Sequence, residues 1–120
     1  MNIKKYYRNK YPQLQTIILP AIWEKYNIPG PIPEYQFCLE RRWRIDYAWP
    51  NIGYGIALEI EGGIYKGGRH ISPKGFIKDM EKYNKMAEYG WILLRYEPNH
   101  IDFFQIRNTI NKQRKRIYCE

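Results

Sequence analysis

Three carboxylates lie in otherwise strand-like, apolar runs near the middle of the 120-residue chain: Asp46 in Arg44-Ile45-Asp46-Tyr47-Ala48-Trp49, and Glu59 and Glu61 in Ala57-Leu58-Glu59-Ile60-Glu61. Side chains alternate along a strand, so Glu59 and Glu61 share one face, and a neighbouring strand carrying Asp46 would bring three acidic groups together. Such a cluster repels itself unless a positive charge sits in it. Oxygen donors of this kind favour Mg²⁺ or Mn²⁺. The plainer alternative for Asp46 and Glu59 is pairing with Arg42 or Arg44 on a wet sheet face.

The elements that must position these groups follow from periodicity and turn residues. Leu14, Ile17, Ile18, Ala21, Ile22 and Tyr26 recur at helical spacing and predict a helix over 12–26, kinked or divided by Pro20. Pro29-Gly30-Pro31-Ile32-Pro33 predicts an extended connection. Strands are expected over 35–39, 43–49 and 54–60, with Pro50-Asn51-Ile52-Gly53 as a turn, in an antiparallel meander. A loop over 62–75 leads into a helix to Tyr89 that Gly90 stops, then a strand over 91–96 and a helix over 101–110. The predicted class is therefore α/β: one domain spanning 1–120 with a central mixed sheet, a core over about 12–110 and a basic extension over 111–120.

Composition narrows the partners. Lys and Arg outnumber Asp and Glu by 20 to 12, a formal charge of +8 that suits a polyanion such as DNA. Seventeen per cent of the residues are aromatic, a share that serves core packing before base stacking. Cys38 and Cys119 have no metal-ligand spacing and are expected to be reduced thiols. No apolar run approaches the length needed to span a bilayer, and residues 1–8 lack the apolar segment of a signal peptide, so no membrane partner and a cytoplasmic location are expected.

The element order and the acidic residues resemble the PD-(D/E)XK nuclease superfamily over roughly residues 35–96, with Asp46 on the second strand and Glu59-Ile60-Glu61 in place of Glu-X-Lys. Arg41-Arg42-Trp43-Arg44, Gly62-Gly63, Gly68-Arg69-His70, Gly75-Phe76, Asp79 and Lys82 extend the likeness to small phage-type endonucleases of that superfamily. The resemblance implies a restriction-endonuclease-like core and Mg²⁺-dependent (or Mn²⁺-dependent) hydrolysis of DNA phosphodiester bonds, with branched or junction DNA among the substrates. Two-strand cleavage would call for a homodimer. It implies Asp46, Glu59 and the Ile60 carbonyl as metal ligands, and Glu24 on the first helix as an acidic ligand through water, with Glu34 competing for that place.

Position 61 departs from the pattern, because the expected lysine is a glutamate. Lys82 on the following helix is the candidate for a relocated amine, with Lys74 second, and Glu61 becomes either a further ligand or a water-orienting base. His70 would contact phosphate or move a proton. Arg42, Arg44, Arg69, Lys74 and Lys78 are the candidate DNA contacts, although lysines on a helix more often form a solvated basic face. A non-catalytic nucleic-acid-binding module on the same fold is the rival reading, favoured by the missing lysine.

Overall fold

A computed structural model describes residues 2–62 and 73–119, with side chains described through residue 115. Helix α1 (Ile3–Lys10) is followed by α2 (Pro20–Lys25), strands β1 (Ile32–Tyr35), β2 (Ile45–Trp49) and β3 (Ile56–Ile60), helix α3 (Pro73–Glu88), strand β4 (Ile92–Tyr96) and helix α4 (Phe103–Cys119). The strands form one mixed sheet in the order β1-β2-β3-β4. The first three pair antiparallel and β4 lies parallel to β3. The segment carrying α3 connects these two parallel strands, the crossover that parallel pairing requires.

The N-terminal half differs from expectation. The apolar residues of 12–26 do not make one helix. Pro20 is the first residue of α2, where its missing N–H costs nothing, and Leu19 before it is extended. Upstream, Leu14 and Ile18 are buried from an irregular segment. Tyr47 holds that segment: its hydroxyl accepts from the Ile18 N–H at 2.8 Å and donates to the Thr16 carbonyl at 3.1 Å. Burial pushes the Tyr47 phenol up to about 12. Tyr47→Phe would leave the buried Ile18 N–H without its partner and is expected to cost about 1–3 kcal/mol of stability, measurable by chemical denaturation. Helix α1, unforeseen from the sequence, is capped by Asn2, whose Oδ1 accepts from the Lys5 N–H at 3.0 Å. None of its residues is buried.

The first strand is also displaced. It runs over Ile32–Tyr35, inside the proline-rich stretch, rather than over 35–39. Pro33 is accommodated because β1 is an edge strand, with one side unpaired among the described residues. The strands expected over 43–49 and 54–60 are present in shorter form, and the last helix continues beyond 110 through the basic run to Cys119.

Two packed layers flank the sheet. Tyr47, Trp49, Ile56, Leu58 and Ile60 face α2 and α4, packing with Trp23, Ile106 and Ile110. Trp23 sets its indole edge-on to both Tyr47 and Trp49, with ring centroids 5.5 Å apart in each pair. On the other face Ala48 and Ala57, cross-strand partners, cluster with Met86 of α3, and Tyr83, Trp91 and Leu93 pack around them. Two small residues at the sheet centre let α3 approach closely. Gly55, at φ +119°, is fixed by the same crowding, since a Cβ there would lie 2.6 Å from the Trp91 ring. No helix among the described residues is long and apolar enough to cross a membrane.

Candidate functional site

Strand alternation decides which layer receives the carboxylates. In β2, residues 47 and 49 face α2 and α4, and in β3 residues 56, 58 and 60 do. Asp46 and Glu59 therefore fall on the α3 side, with Ala48 and Ala57. The pairing Tyr47↔Leu58, carried one step further, sets Asp46 against Glu59. There the side chains bind the facing backbone. The Glu59 carboxylate accepts the Asp46 N–H at 3.2 Å, and the Asp46 carboxylate accepts the Ile60 N–H at 2.9 Å. These reciprocal bonds fix both groups against the end of the β2–β3 pair.

Glu59 is the buried charge of the site, 5% exposed at the residue level. Its other oxygen receives the Lys82 ammonium from α3, a side chain only 14% exposed. Burial pushes the Glu59 carboxyl up, to about 7, against the pull of Lys82, and the Asp46 charge pushes the same way as burial. A largely desolvated ammonium thus sits on Glu59, beside Asp46. The wet-face alternative of pairing with Arg42 or Arg44 is not what the chain adopts: the Arg44 guanidinium donates to the Glu34 carbonyl at 3.3 Å, and among the described residues Arg42 pairs with neither carboxylate.

Glu61 has a different environment. The Arg95 guanidinium of β4 donates to both its oxygens, with Nη2 2.8 Å from each, and the Tyr83 hydroxyl donates to it at 3.0 Å. Arg95 also stacks over the Tyr83 ring at 4.9 Å. Burial, and then the Glu59 and Glu61 charges, push the Tyr83 phenol well above its ordinary range. The pairing Glu59↔Arg95 across β3 and β4 brings this arginine to the site. Neither Arg95 nor Tyr83 was singled out from the sequence. Arg95 had the same signal as Asp46, a lone charge in an apolar strand, whereas Tyr83 has the spacing of an ordinary core-facing residue on a helix.

The remaining candidates divide. Lys74 and Lys78 are exposed on α3 at four-residue steps before Lys82, so the three form a row leading away from the carboxylates. Arg42 and Arg44 are exposed on the loop before β2. Glu24 does not join the cluster. It follows Trp23 on α2, on the opposite face of the sheet, and lines an open cleft of about 400 Å³ with Tyr7, Tyr11 and Trp23. The β1–β2 pairing sets Glu34 level with Asp46, and its backbone has a left-handed φ of +47°. Arg69 and His70 lie outside the described residues.

Asp46 and Glu59 could offer a hard cation two carboxylates, each bound to the backbone of the facing strand, and Ile60, between Glu59 and Glu61, could add a main-chain carbonyl. Among the described residues no three His, Cys, Asp or Glu side chains converge into a metal-holding group. Mg²⁺ does not need three, because it keeps waters and takes substrate oxygens beside one or two carboxylates.

No protein-family model matches the chain, and no solved structure matches it. The chain is similar to two uncharacterised proteins of Mycobacterium tuberculosis, from strains CDC 1551 / Oshkosh and ATCC 25618 / H37Rv, each 29% identical over 68 residues. The match covers 53% of this chain and 23% of each of those proteins, so it spans about a quarter of their length.

Proposed function

We propose that the chain is a metal-dependent endonuclease that hydrolyses DNA phosphodiester bonds on a restriction-endonuclease-like core. The observation that carries this reading is the Lys82 ammonium on buried Glu59 beside Asp46: the amine missing at position 61 arrives from α3. Asp46, Glu59 and the Ile60 carbonyl would hold Mg²⁺ or Mn²⁺. When bound, such an ion lowers the pKa of a water and offsets charge on the scissile phosphate. The chain's own residues do the rest. The Ile60 N–H holds one Asp46 oxygen and so orients the carboxylate, Lys82 presents an N–H to the reacting phosphate or its water, and the row from Lys82 through Lys78 to Lys74 neutralises the flanking backbone.

Glu61 serves in this reading as an anchor for Arg95 and Tyr83, not as a ligand. Its ion pair is half exposed, so Glu61→Gln is expected to shift stability by no more than about 1 kcal/mol. Cleavage in that variant should fall by less than about tenfold, a barrier change near 1.4 kcal/mol. A loss matching that of Glu59→Gln would instead make Glu61 a ligand.

The test of the reading is incubation of supercoiled, linear and branched DNA with the full chain in Mg²⁺, in Mn²⁺ and in chelator. Strand scission in either ion and none in chelator is expected. Binding without scission in any ion would establish the rival, a non-catalytic DNA-binding module. The rival has its own support: every oxygen of Glu59 and Glu61 already has a protein partner.

A further inference from the structure

Between β1 and β2 the chain makes an excursion over 36–44 whose tip is Leu39, 98% exposed. An exposed leucine on a slack loop would mean little. This loop is pinned at several points. The Gln36 side-chain amide donates to the Cys38 carbonyl at 3.2 Å and to the Arg41 carbonyl at 2.9 Å, bracing the turn from inside. Cys38, next to the tip, is buried. Phe37 and Trp43 stack across the base of the loop with ring centroids 6.1 Å apart, and the Arg41 guanidinium lies 4.2 Å over the Trp43 ring. Arg41 also pairs with Glu81 at 2.9 Å, which ties the loop to α3 one residue from Lys82. The structure therefore holds Leu39 out in solvent from a braced support.

The surroundings of the tip are cationic. Within the loop Arg41, Arg42 and Arg44 are all exposed, against Glu40, and Glu81 of α3 offsets part of the Arg41 charge. Arg44 is two residues from Asp46, so the collar of the loop runs directly into the carboxylate site.

We propose that this loop is a DNA wedge: Leu39 inserts at a base step and partly unstacks it while Arg41, Arg42 and Arg44 hold the flanking phosphates. Apolar side chains used singly in this way kink duplexes, and arginines beside them set the register on the backbone. Magnitudes decide against the other surfaces an apolar tip suits. Burying one leucine contributes about 1.5–3 kcal/mol, whereas stable membrane anchoring takes more than a single acyl chain. A protein interface core is depleted of charge, and this tip has charged residues immediately after it. The net charge of +8 also points to a polyanion.

The proposal rests on the DNA-binding part of the reading above and not on cleavage, so the test is run in chelator. Short duplexes and a branched junction carrying 2-aminopurine are titrated with the full chain and with Leu39→Ala and Leu39→Phe, substitutions at a solvent-exposed tip. Wild type should raise 2-aminopurine fluorescence several-fold at one step. Leu39→Ala should still bind with the same salt dependence but lose the rise, and Leu39→Phe should restore it. Binding with no rise, or a rise that Leu39→Ala keeps, overturns the wedge while leaving the nuclease reading untouched. A rise from a chain that never cuts DNA in Mg²⁺ or Mn²⁺ upholds the wedge and removes the nuclease. Leu39-dependent flotation with vesicles of phosphatidylcholine and phosphatidylserine, without DNA binding, would make the loop a membrane contact and overturn the proposal.

Discussion

Asp46→Asn and Glu59→Gln, made singly, are expected to lower DNA cleavage on the order of a thousandfold or more while leaving the fold and DNA binding in place. Asparagine keeps an oxygen to accept the Ile60 N–H, and glutamine keeps one for the Asp46 N–H, so the end of the β2–β3 pair retains its bonds. Each variant loses one negative charge from the pair that would hold the ion, and Glu59→Gln also leaves the Lys82 ammonium without its partner, so its thermal melt should fall below that of Asp46→Asn. Charge stabilisation by a bound metal is worth several kcal/mol, and each loss of about 1.4 kcal/mol is a tenfold change in rate. The check is single-turnover cleavage of a labelled substrate beside thermal melts and a binding titration. Wild-type rates in either variant would remove these two residues from the chemistry, and with them the proposed site.

Lys82→Met should be nearly as damaging, by a different route. A positioned amine that donates or moves a proton contributes about 10²–10⁴-fold, and methionine fills similar space without the charge. The variant also leaves Glu59 buried beside Asp46 with no ammonium. Breaking one partner out of a buried ion pair costs about 3–5 kcal/mol when the other stays charged. Glu59 can take up a proton instead, which reduces that cost. Ion binding separates the two roles of Lys82. If the amine is catalytic, the variant binds Mn²⁺ as well as or better than wild type, because the competing ammonium is gone, and still fails to cut. Undiminished cleavage would make Lys82 a counter-ion only.

The same buried carboxyl gives the metal-free chain a pH dependence of known sign. Its folded pKa of about 7 lies above the ordinary glutamate value of 4.5, so between them the folded state holds more protons than the unfolded one. Stability from this group therefore falls as pH rises from about 4.5 through about 7. Glu59→Gln should flatten that slope in denaturation curves taken without divalent ions.

Sequence periodicity read correctly the elements in which local pattern and burial agree. The turn at 50–53 between two apolar runs set Asp46 and Glu59 on adjacent antiparallel strands, and Gly90, at φ +84°, ends α3 where expected. Pattern misled where a tertiary partner replaced local structure. Residues 12–19 have helical spacing, yet Tyr47 takes the Ile18 N–H that a helix would have satisfied itself, and also the Thr16 carbonyl, whose helical donor would have been Pro20 with no N–H to give. The proline stretch looked too poor in donors to be a strand, and it is one because β1 lies at the edge of the sheet among the described residues.

What the sequence by itself determined is the pair Asp46 and Glu59, because side-chain alternation and one short turn are local properties written in adjacent residues. It also placed Lys82 on the next helix as a candidate amine. Only the tertiary structure decided that Lys82, 23 residues after Glu59, reaches it, and that Arg95, 34 residues after Glu61, claims position 61. Those meetings depend on how closely α3 settles over Ala48 and Ala57 and on the parallel register of β4 against β3. Both are set by packing between distant segments, and no residue's neighbours in the chain carry that information.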